Sequence, residues 1–120
     1  MENINKPIFS LSHIGINSEN AEKAKEVATF LANIFDLEQN EGVASIFVEK
    51  NIEVVKSKGL GRNGHIAFYT ENIEIAIKYL EEKAIKFNYK SAKYNEDDKI
   101  AIIYLEQEIN DFAIHLTSEK

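Results

Sequence analysis

Hydrophobic and polar positions along this chain follow the alternating spacing of strands in some segments and the helical spacing in others. The same order of such segments occurs twice. In the first half, alternation over residues 11–16 predicts a strand, and apolar residues at helical spacing predict a helix over 21–35. Strand-like segments follow at 43–48 and 52–55. The second half predicts strands at 65–69, 87–89, 100–106 and 112–117 and a helix over 73–83. The sequence therefore predicts two βαβββ modules in an α+β fold.

A glycine-rich segment separates the two halves. Three of the five glycines fall within residues 59–64. We expect one domain over 1–120, with module 1 at about 9–58, a linker at 59–64 and module 2 at about 65–117. Because glycine frees the backbone, the linker is predicted to be flexible. The modules could then pair within one chain or across two chains, and the pattern alone leaves both open.

Composition excludes several classes of function. A net charge of −6 offers no basic face for nucleic acid or for an anionic membrane surface. The absence of cysteine excludes disulfides, thiolate metal sites and a cysteine nucleophile. Residues 1–10 lack the apolar run of a signal peptide, and the longest apolar run, 100–105, is too short to span a bilayer. A cytoplasmic location is the resulting expectation.

The three histidines of the chain occupy repeat-related positions. His13 lies in the first strand of module 1, where it opens the motif HIGI, and His65 opens the first strand of module 2. In the last strand of each module, His115 corresponds to Glu53. Strand alternation sets all four side chains opposite the large apolar side chains of their strands. We therefore expect the four to share a concave, partly wet face of the sheet.

This set of side chains suits a metal ion. A carboxylate on a sheet face is costly unless it is paired, hydrogen-bonded or metal-bound. Imidazoles with one carboxylate favour a divalent transition metal, such as zinc, nickel, cobalt, iron, manganese or copper, over calcium or magnesium. The alternative is a site without metal, in which the histidines only form hydrogen bonds.

The doubled order and four short motifs resemble the vicinal oxygen chelate superfamily, whose members include glyoxalase I, extradiol dioxygenases and bleomycin-binding proteins. The motifs are 13–16 (HIGI), 52–54 (IEV), 64–67 (GHIA) and 114–116 (IHL). The resemblance implies a cup-shaped mixed sheet, the glyoxalase/bleomycin resistance fold. It also implies a metal held by His13, Glu53, His65 and His115, with a small oxygenated metabolite chelated to that metal.

The resemblance implies lyase- or isomerase-type chemistry on a 2-oxo acid or 2-oxoaldehyde. His115 stands where glyoxalase I has a glutamate that also moves the substrate proton, so Glu53 is the remaining candidate for the catalytic base. A narrower likeness is to a small domain appended to some bacterial 2-keto-3-deoxy-6-phosphogluconate/4-hydroxy-2-oxoglutarate aldolases. It implies an accessory module, with an aldolase as partner.

Three further residues are candidates for substrate binding. Arg62, the only arginine, could anchor an oxyanion, although a solvated linker charge is the simpler interpretation. Tyr69 and Tyr104 could line the pocket, or they could be ordinary strand tyrosines. Phe30, Phe35 and Phe47 are predicted to belong to the core.

Three functions remain open from the sequence. The first is a metal-dependent enzyme, the second is a non-catalytic small-molecule-binding or aldolase-associated module, and the third is a structural dimerisation domain. A homodimer is expected in each case, since exposed module edges favour pairing.

Overall fold

The computed structural model describes residues 6–120 and contains the doubled βαβββ order. Its elements are β1 (Ser10–Ile16), α1 (Ala21–Phe35), β2 (Gln39–Glu41), β3 (Ser45–Val48), β4 (Ile52–Val55), β5 (Gly64–Tyr69), α2 (Ile73–Glu81), β6 (Phe87–Tyr94), β7 (Ile100–Leu105) and β8 (Phe112–Thr117). Both helices start after an asparagine. Each asparagine side chain accepts a hydrogen bond from the backbone amide three residues later, as N-caps do: Asn20 from Lys23 and Asn72 from Ile75.

All eight strands form one mixed sheet, in the order β2-β3-β4-β1-β5-β8-β7-β6. Within each module the first and last strands pair in parallel, β1 with β4 and β5 with β8. The modules join through the antiparallel pair β1–β5 of the same chain, with Ile14 opposite Ile66. An approximate two-fold axis near this pair therefore relates the modules, and the predicted fold class is confirmed.

The linker between the modules is packed into the structure. Gly61 and Gly64 are buried and have positive φ angles of 80° and 146°. The Asn17 side chain donates a 2.7 Å hydrogen bond to the Gly61 carbonyl. A Cβ on either glycine would overlap neighbouring backbone, so here glycine serves close packing. The flexibility of the linker stays a prediction.

Each helix covers a core on the outer face of its own module. Ala24 and Ala28 of α1 pack with the buried residues of β3 and β4, and Ile73 and Ile77 of α2 pack with those of β7 and β8. The placement of Phe30 and Phe35 in the core was wrong, because they are 61% and 63% exposed. The helix instead contacts the sheet along its alanine row, which permits a close approach.

Two strands differ from the sequence pattern. The strand β2 is polar throughout (QNE), so it has no hydrophobic alternation to reveal it. Val43, predicted to open the next strand, lies in a turn and is 98% exposed. In module 2, β6 extends to Tyr94, five residues beyond the predicted end of this strand.

Within residues 6–120, neither helix combines the length and the apolar character that crossing a membrane would require.

Candidate metal centre

Two neighbouring cross-strand rows carry the four predicted metal ligands on the concave face. The first row runs Phe47, Glu53, Gly15, His65, and the second runs His13, Ala67, His115, Tyr104. Each row places a small residue, Gly15 or Ala67, beside the long side chains. The two rows are related by the approximate two-fold axis, so the repeat itself brings the ligands of both modules together.

A bulge in β1 adjusts the first ligand. The β1–β5 register shifts between Leu11 and His13, and both Ser12 and His13 line the concave face. Bulges commonly redirect a side chain in this way. Ser12 Oγ lies 2.9 Å from His13 Nδ1, which leaves His13 Nε2 directed at the other candidate ligands.

Three donor atoms converge closely. His13 Nε2 lies 3.2 Å from Glu53 Oε1, His65 Nε2 lies 3.1 Å from the same oxygen, and the two Nε2 atoms are 3.3 Å apart. Ligand bonds of about 2.0–2.2 Å at tetrahedral or octahedral angles separate neighbouring donors by roughly 2.9–3.5 Å. The three atoms thus have the spacing of one face of a coordination polyhedron, and the donor set fits a divalent transition metal.

His115 completes a cluster of three histidines. The donor atoms of His13, His65 and His115 all lie within 4.8 Å of one another, close enough to hold one metal ion together. His115 Nδ1 lies 3.2 Å from the Leu116 carbonyl. An Nδ1–H donated to that carbonyl leaves Nε2 as the free ligand nitrogen, a common arrangement for metal-binding histidine.

The carboxylate of Glu53 is held ionised. Ser45 Oγ donates a 2.9 Å hydrogen bond to Glu53 Oε2, which leaves Oε1 facing the imidazoles. Hydrogen bonds from His13, His65 and Ser45 hold the pKa of Glu53 far below its usual range, although burial opposes this shift. Glu53 therefore offers an anionic oxygen across the physiological pH range.

The imidazole of His115 is held neutral. Burial lowers the pKa of His115 to about 4, and its side chain lies under Tyr104 with ring centroids 4.8 Å apart. A neutral imidazole is the form that binds metal. Burial also raises the pKa of Tyr104, with a smaller contribution from Glu53, so its phenol stays protonated at neutral pH.

Gly15 is required by the position of His65. The two residues are register partners, and a Cβ on Gly15 would overlap the imidazole of His65. The ring therefore lies directly over the β1 backbone, where it reaches Glu53 and His13. The repeat-related residue Ala67 carries a methyl group without displacing His13 or His115.

The ligands lie in a cup of about 760 Å³. Tyr104 lines this cup, as do Phe47 and Ile102. Tyr69, predicted to line the same pocket, instead borders a neighbouring cavity of about 510 Å³. Arg62 is exposed in the linker and does not line the cup.

The structure adds residues that the sequence pattern did not indicate. Ser12 and Ser45 orient His13 and Glu53, and Phe47 packs edge-on against His13 with ring centroids 5.9 Å apart. The placement of Phe47 in the core was therefore wrong. The signal that could have identified Phe47 is its repeat relation to Tyr104, since the two face Glu53 and His115.

This fold is the glyoxalase-like fold, and its concave face carries three histidines positioned to hold a metal ion. No family model matches the chain, and a comparison with curated proteins also found no match.

Comparison with solved structures supports the fold. A hypothetical protein from Bacillus halodurans has a TM-score of 0.66 at 17% identity, covering 93% of this chain and 95% of that one. A methylmalonyl-CoA epimerase has a TM-score of 0.63 at 14% identity, covering 94% and 97%. The methylmalonyl-CoA epimerase of Streptomyces coelicolor, in complex with 2-nitronate-propionyl-CoA, has a TM-score of 0.60 at 14% identity, covering 89% and 92%. The likeness to an aldolase-appended domain gains no support from these matches.

Proposed function

We propose that the chain is a metal-dependent enzyme in which His13, Glu53, His65 and His115 hold one divalent transition metal. The observation that carries the proposal is the convergence of His13 Nε2, His65 Nε2 and Glu53 Oε1 at 3.1–3.3 Å from one another. The cluster sets one oxygen of a partly buried carboxylate beside two imidazole nitrogens, and a divalent cation between the three atoms would bind them all. The proposed substrate is a small 2-oxo acid or 2-oxoaldehyde, and the proposed chemistry is of lyase or isomerase type.

The metal would supply Lewis acidity to a substrate oxygen at an open coordination position. The chain's own residues set up the rest of the site. Ser12 and Ser45 orient the ligands, and Phe47 and Tyr104 form apolar walls on opposite sides of the cup.

We assign Glu53 first as a ligand. Both of its oxygens have partners, and its lowered pKa makes it a weak base. The additional role of Glu53 as catalytic base remains a prediction. A variant Glu53→Gln that retains metal but loses turnover would support that role, whereas loss of metal together with turnover would assign Glu53 as a ligand alone.

The test of the proposal uses protein purified without chelator and offered zinc, nickel, cobalt, iron and manganese separately. We expect retention of one of these metals through dialysis, together with turnover of a compound in a panel of 2-oxo acids and 2-oxoaldehydes. The panel should include methylmalonyl-CoA, because another epimerase of this fold is described in complex with it. Failure to retain any of the metals would refute the proposal.

A retained metal without turnover of the panel would favour the second candidate, a non-catalytic small-molecule-binding module. Co-purification with an aldolase would specify the aldolase-associated form of that candidate.

We further propose that the chain forms a homodimer through its outer sheet face. Outward side chains on the central pair β1 and β5 are apolar apart from Gly64, and α1 and α2 pack mainly on β2, β3, β4 and β7. Ile14 at the module junction is 37% exposed and Leu11 is 52% exposed. Because the approximate two-fold axis passes near Ile14, this face is suited to a second copy of itself.

Sedimentation of the wild-type chain and of an Ile14→Glu variant tests the dimer. We expect a dimer at micromolar concentration for the former and a monomer for the latter. A wild-type monomer would contradict the proposal.

A further inference from the structure

The cup carries cationic side chains that the metal centre does not use. Lys50, Lys93 and Lys120 line it, although the chain as a whole has a net charge of −6. The salt bridges formed within residues 6–120 engage Lys23, Lys25 and Lys56, and none engages these three lysines. Glu49 and Glu119 also line the cup, beside the candidate ligand Glu53, so an anionic ligand is favoured only where the ammonium groups outnumber the carboxylates.

Two of these lysines lie at the module 2 end of the cup. Lys93 is the register partner of Ile102, which pairs with Thr117, so the three form a row beyond Tyr104 and His115. The ammonium of Lys120 lies 5.4 Å from the ring centroid of Tyr69, and Tyr69 is the register partner of Thr117. Lys120 therefore lies at the border between the cup and the adjoining cavity, both of which it lines. Glu119 also lines the cup, so this end carries two cationic side chains and one anionic one.

The position of Lys93 depends on an irregularity in β6. Between Asn88 and Lys93, the pairing of β6 with β7 shifts register. Ser91 fixes the shift, since its hydroxyl donates to the Asn88 carbonyl at 2.6 Å and accepts from the Tyr104 amide at 2.9 Å. The corresponding strand of module 1, β2, has three residues and no comparable bulge. The cationic end is therefore particular to module 2.

We propose that Lys93 and Lys120 form a subsite for a distal oxyanion of the substrate. This inference rests on the proposed metal-dependent function and narrows its substrate class to 2-oxo acids that carry a second anionic group. The row of Lys93 lies two strand residues beyond the His115 row, or roughly 7 Å. A substrate with two methylene groups between the chelating 2-oxo acid end and a distal carboxylate or phosphate-type group would cover most of that distance, and the long lysine side chains would reach the remainder.

Calorimetric titration of the metal-loaded protein with three probes tests the subsite. The probes are 2-oxoglutarate, 2-oxo-4-phosphonobutanoate and 2-oxopentanoate, which differ only in the distal group. We expect at least one anionic probe to bind at least about tenfold more tightly than 2-oxopentanoate, as a charge-assisted hydrogen bond would provide. The tighter of the two anionic probes then distinguishes a carboxylate from a phosphate-type group.

The variant Lys93→Gln/Lys120→Gln should remove this preference while leaving metal content and 2-oxopentanoate affinity unchanged. Lys50→Gln, at the module 1 turn, is the matched control and should keep the preference. Equal binding of the three probes, no binding of any probe, or an undiminished preference in the double variant would overturn the subsite alone. Failure of the wild-type protein to load metal would overturn the proposed function and this inference with it.

Discussion

The two modules share a backbone plan but supply different chemistry to the same site. Module 1 supplies a carboxylate, Glu53, with a serine behind it, whereas module 2 supplies a buried neutral imidazole, His115, beneath a tyrosine. The first strands differ less, since each contributes one histidine and, two positions later, a small residue, Gly15 or Ala67. The duplicated fold thus determines the positions of the candidate ligands. The identities of the individual side chains determine the charge, the protonation state and the polarity of the site.

The largest expected effect comes from removing His65, the candidate ligand at the junction of the two modules. His65 Nε2 contacts both Glu53 and His13, so His65→Ala should weaken metal binding by more than the roughly 100-fold typical of an orienting residue. Competition with a chromophoric chelator measures the affinity, and circular dichroism checks the fold. If His65→Ala stays folded and keeps wild-type affinity, the ligand set is wrong.

The next prediction concerns the pH dependence of the unfolding free energy, to which His115 and Glu53 contribute in different pH ranges. Burial lowers the pKa of His115 from 6.5 to about 4, so the unfolded chain takes up this proton before the folded chain does. Stability from a lowered pKa is present at higher pH and is lost as the pH falls. Metal-free protein should therefore lose on the order of 3 kcal/mol of unfolding free energy between pH 6.5 and 4. Below pH 4.5, the lowered pKa of Glu53 extends the loss.

Urea denaturation across this pH range measures the loss. His115→Gln should flatten the slope between pH 6.5 and 4 and should leave the steeper acid limb of Glu53 in place. An unchanged slope in His115→Gln would show that the buried imidazole does not cause the pH dependence.

The third prediction compares the repeat-related small residues Gly15 and Ala67. Gly15→Ala should displace the His65 ring and lower metal affinity roughly 10- to 100-fold, because it disturbs a ligand's position without removing the ligand. The reciprocal change Ala67→Gly should leave affinity near the wild-type value and cost about 1 kcal/mol of stability. Equal affinities in the two variants would mean that Gly15 does not position His65.

The smallest effect comes from the hydroxyl behind Glu53. Ser45→Ala removes the hydrogen bond to Oε2 and should lower metal affinity about tenfold. The repeat-related position in module 2 is Ile102, so Ile102→Val is a matched control with no such bond to lose. Isothermal titration with zinc distinguishes the two, and a similar loss in both would assign the effect to packing.

Periodicity and repeat logic were sufficient for the fold because strand and helix spacings are local properties. They also placed His13, Glu53, His65 and His115 on one face, since alternation and duplication determine sidedness. The β1 bulge at Ser12, the polar edge strand β2 and the Ser91-stabilised bulge in β6 leave no periodic signal, so they were not predicted.

Contacts made by side chains were harder to predict. Tyr69 and Tyr104 both lie on inward positions of their strands, yet only Tyr104 lines the cup, whereas Tyr69, the last residue of β5, borders the adjoining cavity. Phe30 and Phe35 are large apolar residues of α1 and were therefore predicted to be buried. The buried residues of this helix are instead its alanines, Ala24, Ala28 and Ala32. Sequence spacing does not contain this information, since it depends on how near a helix approaches the sheet.

The central claim is that one metal ion is held by ligands from both modules. Elemental analysis after loading with zinc and exhaustive dialysis tests it most directly, on the wild-type chain and on His65→Ala. We predict about one zinc per wild-type chain and almost none per variant chain. Zinc absent from both proteins, or equal in both, would contradict the account.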